Sequence, residues 1–92
     1  MRYVVCYDIT DDRRRAHLSG ILLDFGQRIQ ESVFMADLDE ELAGRMRERV
    51  RKVLDVDQDR LHIFPLCAGC SSKAVSMGAA AELPEYKDFY IL

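Results

Sequence analysis

The chain predicts a small α/β sandwich, a sheet carrying two helices on one of its faces. Three observations lead there. Apolar runs of strand length alternate with two stretches of helical periodicity, in the order strand, helix, strand, helix, strand. The chain has 92 residues, the size of one small domain, and 49% of them are hydrophobic, ample for a core. A chain this short buries a modest fraction of its surface, so a lone monomer is expected to be marginal and to cover more surface by dimerising.

Residues 2–9 read as the first strand, short and rich in Val and Tyr. Thr10 can cap a helix, and Asp11 and Asp12 then stand in its first turn, where the dipole favours acids. Leu18, Ile21, Leu22 and Phe25 follow at i, i+3, i+4 and i+7, a buried stripe. Gly26 reads as a left-handed stop, which puts the first helix over about 11–25. Residues 28–37 read as extended. Ile29, Val33 and Met35 share one parity; Arg28, Gln30, Ser32 and Phe34 share the other. Glu31 falls on the apolar side, so a bend or break is expected there, and one bent strand or two short ones both fit. Asp37 or Asp39 caps the second helix, with Glu40 and Glu41 in its first turn. Leu42, Met46, Val50 and Val53 form its buried stripe, and Arg45, Arg47, Glu48, Arg49, Arg51 and Lys52 crowd the other faces.

Residues 55–59 are a polar connector. Arg60 to Leu66 reads as a strand stopped by Pro65, which cannot donate to a ladder. From 67 to 85 the pattern weakens. Val75 and Met77 are candidates for a short strand, and residues 78–81 for a connector. Residues 86–92 are aromatic and apolar again. An extended C-terminal segment of this kind must pair with something, and another subunit's sheet edge is a candidate. The order as a whole is that of a single ferredoxin-like domain, a small antiparallel sheet with two helices on one face. The other face then lacks cover within the monomer, and a dimer partner is the simplest cover.

The formal net charge is −3, which is no fingerprint of a strongly basic nucleic-acid binder, although local patches count for more than totals. Arg13-Arg14-Arg15 and the run from Arg45 to Lys52 are two such patches. No apolar run approaches the ~20 residues that span a bilayer. No secretory signal is visible. Three cysteines do not suggest a disulfide framework. The expectation is a reduced, cytosolic protein.

Asp8 ends the first strand. It reads as an acid that faces water or caps the coming helix, or as a metal ligand or general base at a strand's C-terminal end, where α/β sites often lie. One carboxylate cannot hold a hard divalent cation alone. Mg²⁺ keeps several waters, however, and a two-fold dimer can bring two copies of Asp8 to one ion. Arg13, Arg14 and Arg15 lie 100° apart around a helix, so at most two point the same way. They read as a solvated face or as phosphate partners. Arg28, Gln30, Ser32 and Phe34 make a parity row with a cation, an amide, a hydroxyl and an aromatic ring. Such a row fits a half-exposed edge strand or a contact surface for a subunit or for phosphates. Cys67-Ala68-Gly69-Cys70 is a lone C-x-x-C without the second pair that zinc sites usually need; a thioredoxin-like role would place it after an early strand, whereas it follows a late one, so it reads as chance pairing or a loop detail. His62 alternates with Leu61 and Ile63 and reads as a satisfied strand histidine. No serine–histidine–acid arrangement and no Gly-rich phosphate loop is visible.

Three segments together resemble the CRISPR-associated protein 2 family. They are Tyr3-Val4-Val5-Cys6-Tyr7-Asp8-Ile9 with Asp11 to Arg15, Gly26 to Phe34, and Arg60 to Cys67. The resemblance spans residues 1–67. It implies a ferredoxin-like homodimer whose C-terminal strand, here 86–92, crosses to the partner. It implies a role in the adaptation stage of CRISPR immunity, where the dimer holds incoming duplex DNA between copies of the CRISPR-associated integrase. It also implies a possible metal-dependent endonuclease activity on single-stranded RNA or duplex DNA. Asp8 then falls on the family's strand-end acid, two copies sharing one Mg²⁺, and Arg28, Ser32 and Phe34 fall on its second motif as candidates for the catalytic site or its support. Arg13, Arg14, Arg15 and Arg28 are the candidate nucleic-acid contacts. Met35 departs from the family pattern, which has an acid there. A toxin-like ribonuclease and a ferredoxin-like ligand- or metal-binding module are the alternatives, since fold alone decides nothing.

Overall fold

The computed structural model describes residues 1–80 and 82–84. In chain order these form β1 (Arg2–Asp8), α1 (Asp12–Leu23), β2 (Gln27–Gln30), β3 (Val33–Asp37), α2 (Glu40–Val53), β4 (Arg60–Leu66) and the short α3 (Ala68–Ser71). The strands make one four-stranded sheet in the order β2-β3-β1-β4, every neighbouring pair antiparallel. This is the split βαβ arrangement that the element order predicts. The strand expected at 86–92, and its exchange with a partner, lies outside the described residues.

The ends of α1 differ from expectation. Asp11, not Thr10, is the cap, its side chain accepting the Arg14 backbone N–H at 2.8 Å. The helix stops at Leu23, and the Phe25 and Gly26 N–H groups bond back to the Leu22 carbonyl. Gly26 is no left-handed stop, because Gly78 is the glycine with positive φ among the described residues. Its reason is space: a Cβ there would sit 2.2 Å from the Met35 carbonyl oxygen and 2.8 Å from the Ala36 Cβ. Helix α1 can therefore turn directly onto β3. Asp39 caps α2, accepting the Leu42 N–H at 2.8 Å. Ala43, not Leu42, begins its buried stripe; Leu42 is 38% exposed. The short strand considered for Val75 and Met77 does not form, and both side chains are exposed.

The extended region is two strands. Glu31 and Ser32 form the connection, and the register slips by one residue between Arg28 and Gln30. That bulge breaks the parity expected from sequence. Ser32 has φ 64°, the left-handed region that a residue with a Cβ enters at a cost. Its carbonyl accepts the Tyr7 N–H at 3.1 Å, which ties the turn to the end of β1.

Alternation along β1 sorts the sheet into two faces. Val5, Tyr7 and Ile9 join Phe34, Ala36 and Leu38 under Leu18, Ile21 and Leu22 of α1 and Ala43, Met46 and Val50 of α2, all buried. Burying one such side chain contributes about 1.5–3 kcal/mol, so this layer carries most of the fold. The opposite face takes Arg2, Val4, Cys6 and Asp8. At one end Arg2 is buried, paired with Asp37 through two bonds of 2.8 and 3.0 Å and donating to the Ser71 hydroxyl of α3 at 3.1 Å. Toward the other end Val4 and Cys6 are half-buried, His62 and Phe64 are exposed, and the two rings stack at 5.7 Å. His62 is thus a surface ring and not a satisfied interior one. Among the described residues no helix is long and apolar enough to cross a membrane.

Candidate functional site

Arg28 projects from β2 over the Phe34 ring, its guanidinium 5.3 Å from the ring centre. Phe34 is 1% exposed and stacks on Tyr7 at 6.1 Å. It is therefore a buried platform for Arg28, and it offers no surface to a substrate. A guanidinium held over a ring face gains about 0.5–1 kcal/mol at an exposed site and loses freedom of movement. Arg28 also donates to the Ser19 hydroxyl at 3.1 Å, and Ser19 in turn lies 2.8 Å from the Tyr7 hydroxyl. Tyr7–Ser19–Arg28 is thus a short chain of polar groups running from the core to the surface. A cavity of about 400 Å³ opens beside it, between α1 and the β2–β3 turn. Arg15, Arg28, Ser32, Asp12 and Glu31 line it, with two cations set against two acids.

The arginine run separates into three roles. Arg13 is exposed and makes no ion pair among the described residues. Arg14 turns inward to a bidentate pair with Asp59, at 2.5 and 2.9 Å, and the Asp59 side chain is fully enclosed. The hydrogen bond from Arg14 holds the Asp59 carboxyl below its usual value and raises Arg14 in turn. Asp59 also accepts the Asp55 N–H at 2.9 Å, so this pair anchors the connector before β4 to α1. Arg15 donates to the Ile9 carbonyl at 2.9 Å and pairs with Asp12. Of the three, Arg13 is the one presented outward.

Asp8 is exposed at the end of β1, opposite Arg60 in the β4 ladder. It lies at the same end of the sheet as Ser32 but on the other face from Tyr7, so it does not line the cavity. Asp8, Arg28, Ser32 and Phe34, grouped by motif, are thus divided by the sheet. An exposed carboxylate fits a hard cation such as Mg²⁺, which takes one or two protein carboxylates and keeps its waters. Asp8 supplies one oxygen ligand group in this chain, and among the described residues no group of three or more His, Cys, Asp or Glu side chains comes together.

Sequence reasoning missed Tyr7, Ser19 and Asp59. Ser19 had a signal: a hydroxyl beside Leu18 on the buried stripe of a helix needs a polar partner. Asp59 had none, because nothing local distinguishes it from Asp55 and Asp57.

Known proteins are similar to this chain in sequence and fold. The sequence model of the family described as CRISPR associated protein Cas2 matches residues 1–74. A CRISPR-associated endoribonuclease Cas2 of Rhodospirillum rubrum is 36% identical over 99% of this chain and 73% of its own length. A CRISPR-associated endonuclease Cas2 of Thermus thermophilus is 40% identical over 98% of this chain and 94% of its own. The crystal structure of a hypothetical protein from Thermus thermophilus superposes with a TM-score of 0.81 at 42% identity, covering 91% of this chain and 96% of that one. The fold of Streptococcus pyogenes Cas2 is also matched, with a TM-score of 0.76 at 23% identity over 85% of this chain and all of that one. On the family match and these identities, the chain belongs to the CRISPR-associated protein Cas2 family.

Proposed function

We propose that this protein is a cytoplasmic, dimeric holder of nucleic acid in the adaptation stage of CRISPR immunity, gripping incoming duplex DNA beside the CRISPR-associated integrase. The observation that carries this reading is the outer surface of the helix layer. Arg13 of α1 and Arg45, Arg47, Arg49, Arg51 and Lys52 of α2 are all exposed there, on a chain of net charge −3. Three of them are held in exposed ion pairs, Arg45 with Glu41, Arg49 with Asp24 and Arg51 with Glu48. Exposed pairs are worth only about 0–1 kcal/mol each, so phosphates displace the acids at little cost. Such contacts track a backbone without reading bases. The dimer is supported by the half-covered sheet face around Val4, Cys6, His62 and Phe64.

A second reading, a metal-dependent endonuclease, is favoured by the relatives' names and by the exposed Asp8 carboxylate. Two copies of Asp8 would hold one Mg²⁺. The bound metal would lower the pKa of a water and offset charge on the phosphoryl oxygens. Asp8 holds the ion in this reading and does not itself attack.

The two readings separate in one experiment. Duplex DNA binding is measured against salt, and cleavage of duplex DNA and single-stranded RNA is measured with Mg²⁺ or EDTA, for wild type and Asp8→Ala, with dimers verified by light scattering. The holder predicts binding that falls steeply with salt, weakens in Arg13→Glu/Arg47→Glu and is unchanged in Asp8→Ala. Metal-dependent cleavage lost in the Asp8→Ala dimer assigns the enzyme. Salt-independent binding that ignores the charge reversals sinks the holder.

A further inference from the structure

Cys67 and Cys70 stand apart from the site above, where the chain leaves β4. In sequence they read as a loop detail. In the fold they are a matched pair. Cys67 caps α3 from extended backbone, and its sulfur accepts the Cys70 backbone N–H at 3.4 Å. The turn that joins them is pinned on its far side. Ser71 N–H bonds to the Cys67 carbonyl at 2.8 Å, and the buried Ser71 hydroxyl accepts from Arg2 at 3.1 Å. Both thiols are exposed, whereas the remaining cysteine, Cys6, is half-buried in β1.

The pair is also chemically asymmetric. The Cys70 backbone N–H, aided by its thiol, stabilises a negative sulfur and draws the Cys67 thiol below its ordinary value. The neighbouring Cys67 sulfur pushes Cys70 up. Thiolate character decides which thiol attacks a disulfide, and proximity decides which one resolves the product.

We propose that Cys67 and Cys70 form a thiol–disulfide exchange site that accepts low-molecular-weight disulfides, with Cys67 as the attacking and Cys70 as the resolving residue. The Cys67 thiolate attacks one sulfur of the small disulfide, forming a mixed disulfide and expelling one thiolate. Cys70, losing its proton to solvent, then attacks the Cys67 sulfur and expels the second. The two protein thiols are oxidised to one disulfide, and the small disulfide is reduced to two thiols, which take up the protons released. Ring closure needs Cβ atoms about 3.5–4.5 Å apart. The Cys67 sulfur already contacts the Cys70 backbone N–H at 3.4 Å, so the pair stands on one short turn. The Ser71–Arg2–Asp37 anchor lies outside the ring and stays in place. The oxidised ring stiffens the exit from β4 into the C-terminal segment.

The full-length protein, freed of metal and reduced, is incubated with oxidised glutathione and read by intact mass and by peptide mapping after alkylation. Wild type is expected to lose two hydrogens, with Cys67 and Cys70 protected and Cys6 still labelled. Cys70→Ser is expected to stop at one glutathionyl group on Cys67, and Cys67→Ser to form no internal disulfide. In the reduced protein, alkylation of Cys67 at neutral pH is expected to run several-fold faster than that of Cys70. Both serine variants lie on exposed positions, and circular dichroism checks their fold. Three free thiols after incubation, or equal glutathionylation of the two variants, each overturn the proposal.

Discussion

The two faces of the sheet are built from alternate residues of the same strands, yet they do different jobs. The helix-covered face is a sealed apolar layer in which Val5, Leu18 and Phe34 are at most 1% exposed. The opposite face is graded. It is closed at the Arg2 end by an ion pair and α3, and open along β4, where Phe64 opposite Val4 is 52% exposed. The difference shows what each face is for. One carries the apolar core, and the other leaves His62 and Phe64 exposed, with Asp8 at the far end of β1.

The largest expected effect breaks this comparison at its firmest point. Phe34→Ala removes a buried ring and should cost about 3–5 kcal/mol in denaturant unfolding. It also strips Arg28 of its platform. Phe64→Ala on the open face should move monomer stability by no more than about 0.5 kcal/mol. If a second copy covers that face, the same change weakens self-association, read by sedimentation across a concentration series. Equal losses from the two substitutions would mean that the faces are not distinct.

Next comes the closed end of the open face. Asp37→Ala leaves the Arg2 guanidinium buried without its carboxylate, and breaking a buried pair from one side costs about 3–5 kcal/mol. Arg2→Met/Asp37→Leu, which removes both charges, should recover much of that loss. The pair would then matter for how the strand end and α3 are positioned more than for net stability.

Much of the helix-covered face was legible in the sequence, because its cause is periodic. Leu18, Ile21 and Leu22 recur at helical spacing, and Met46, Val50 and Val53 do so again. The ferredoxin-like sandwich followed from the order of elements. What was not legible depends on contacts distant in sequence. Gly26 is required by the backbone of β3, not by its own helix. Arg14 meets Asp59 across 45 residues, so a run of three arginines gave no hint that its middle member faces inward. Phe34, read as part of a contact row, faces the helices and joins the core, with Arg28 laid over its ring. The family resemblance located Asp8 and the Arg28–Phe34 segment, but not the sheet that divides them.

Asp59 sharpens the same lesson through pH. Its carboxyl is held below the ordinary value of 3.8 by the hydrogen bond from Arg14. A group depressed in the folded state stabilises the fold above its unfolded value and loses that contribution as pH falls through the folded one. Wild type should therefore lose stability as pH drops below about 4. Asp59→Asn should be weaker at neutral pH and flatter across that acid range. Unfolding by denaturant at neutral and acid pH checks the slope.

The smallest effect concerns the turn where the two faces meet. Ser32 holds a φ of 64°, which costs a residue with a Cβ about 1–2 kcal/mol relative to glycine. Glycine gives back part of this by loosening the unfolded chain, about 0.4–1 kcal/mol. Ser32→Gly should therefore gain up to about 1 kcal/mol, or a rise of some 4–8 °C in Tm for a domain of this size. A serine kept at a position where glycine is more stable implies a use for its hydroxyl. Ser32 lines the cavity beside Arg15 and Arg28, and under the proposed holding of nucleic acid its hydroxyl is a candidate phosphate contact. The informative outcome is a split, with higher Tm and weaker nucleic-acid binding in the same variant. A higher Tm with binding unchanged would assign Ser32 to the turn alone and leave the grip on nucleic acid to the cations of α1 and α2.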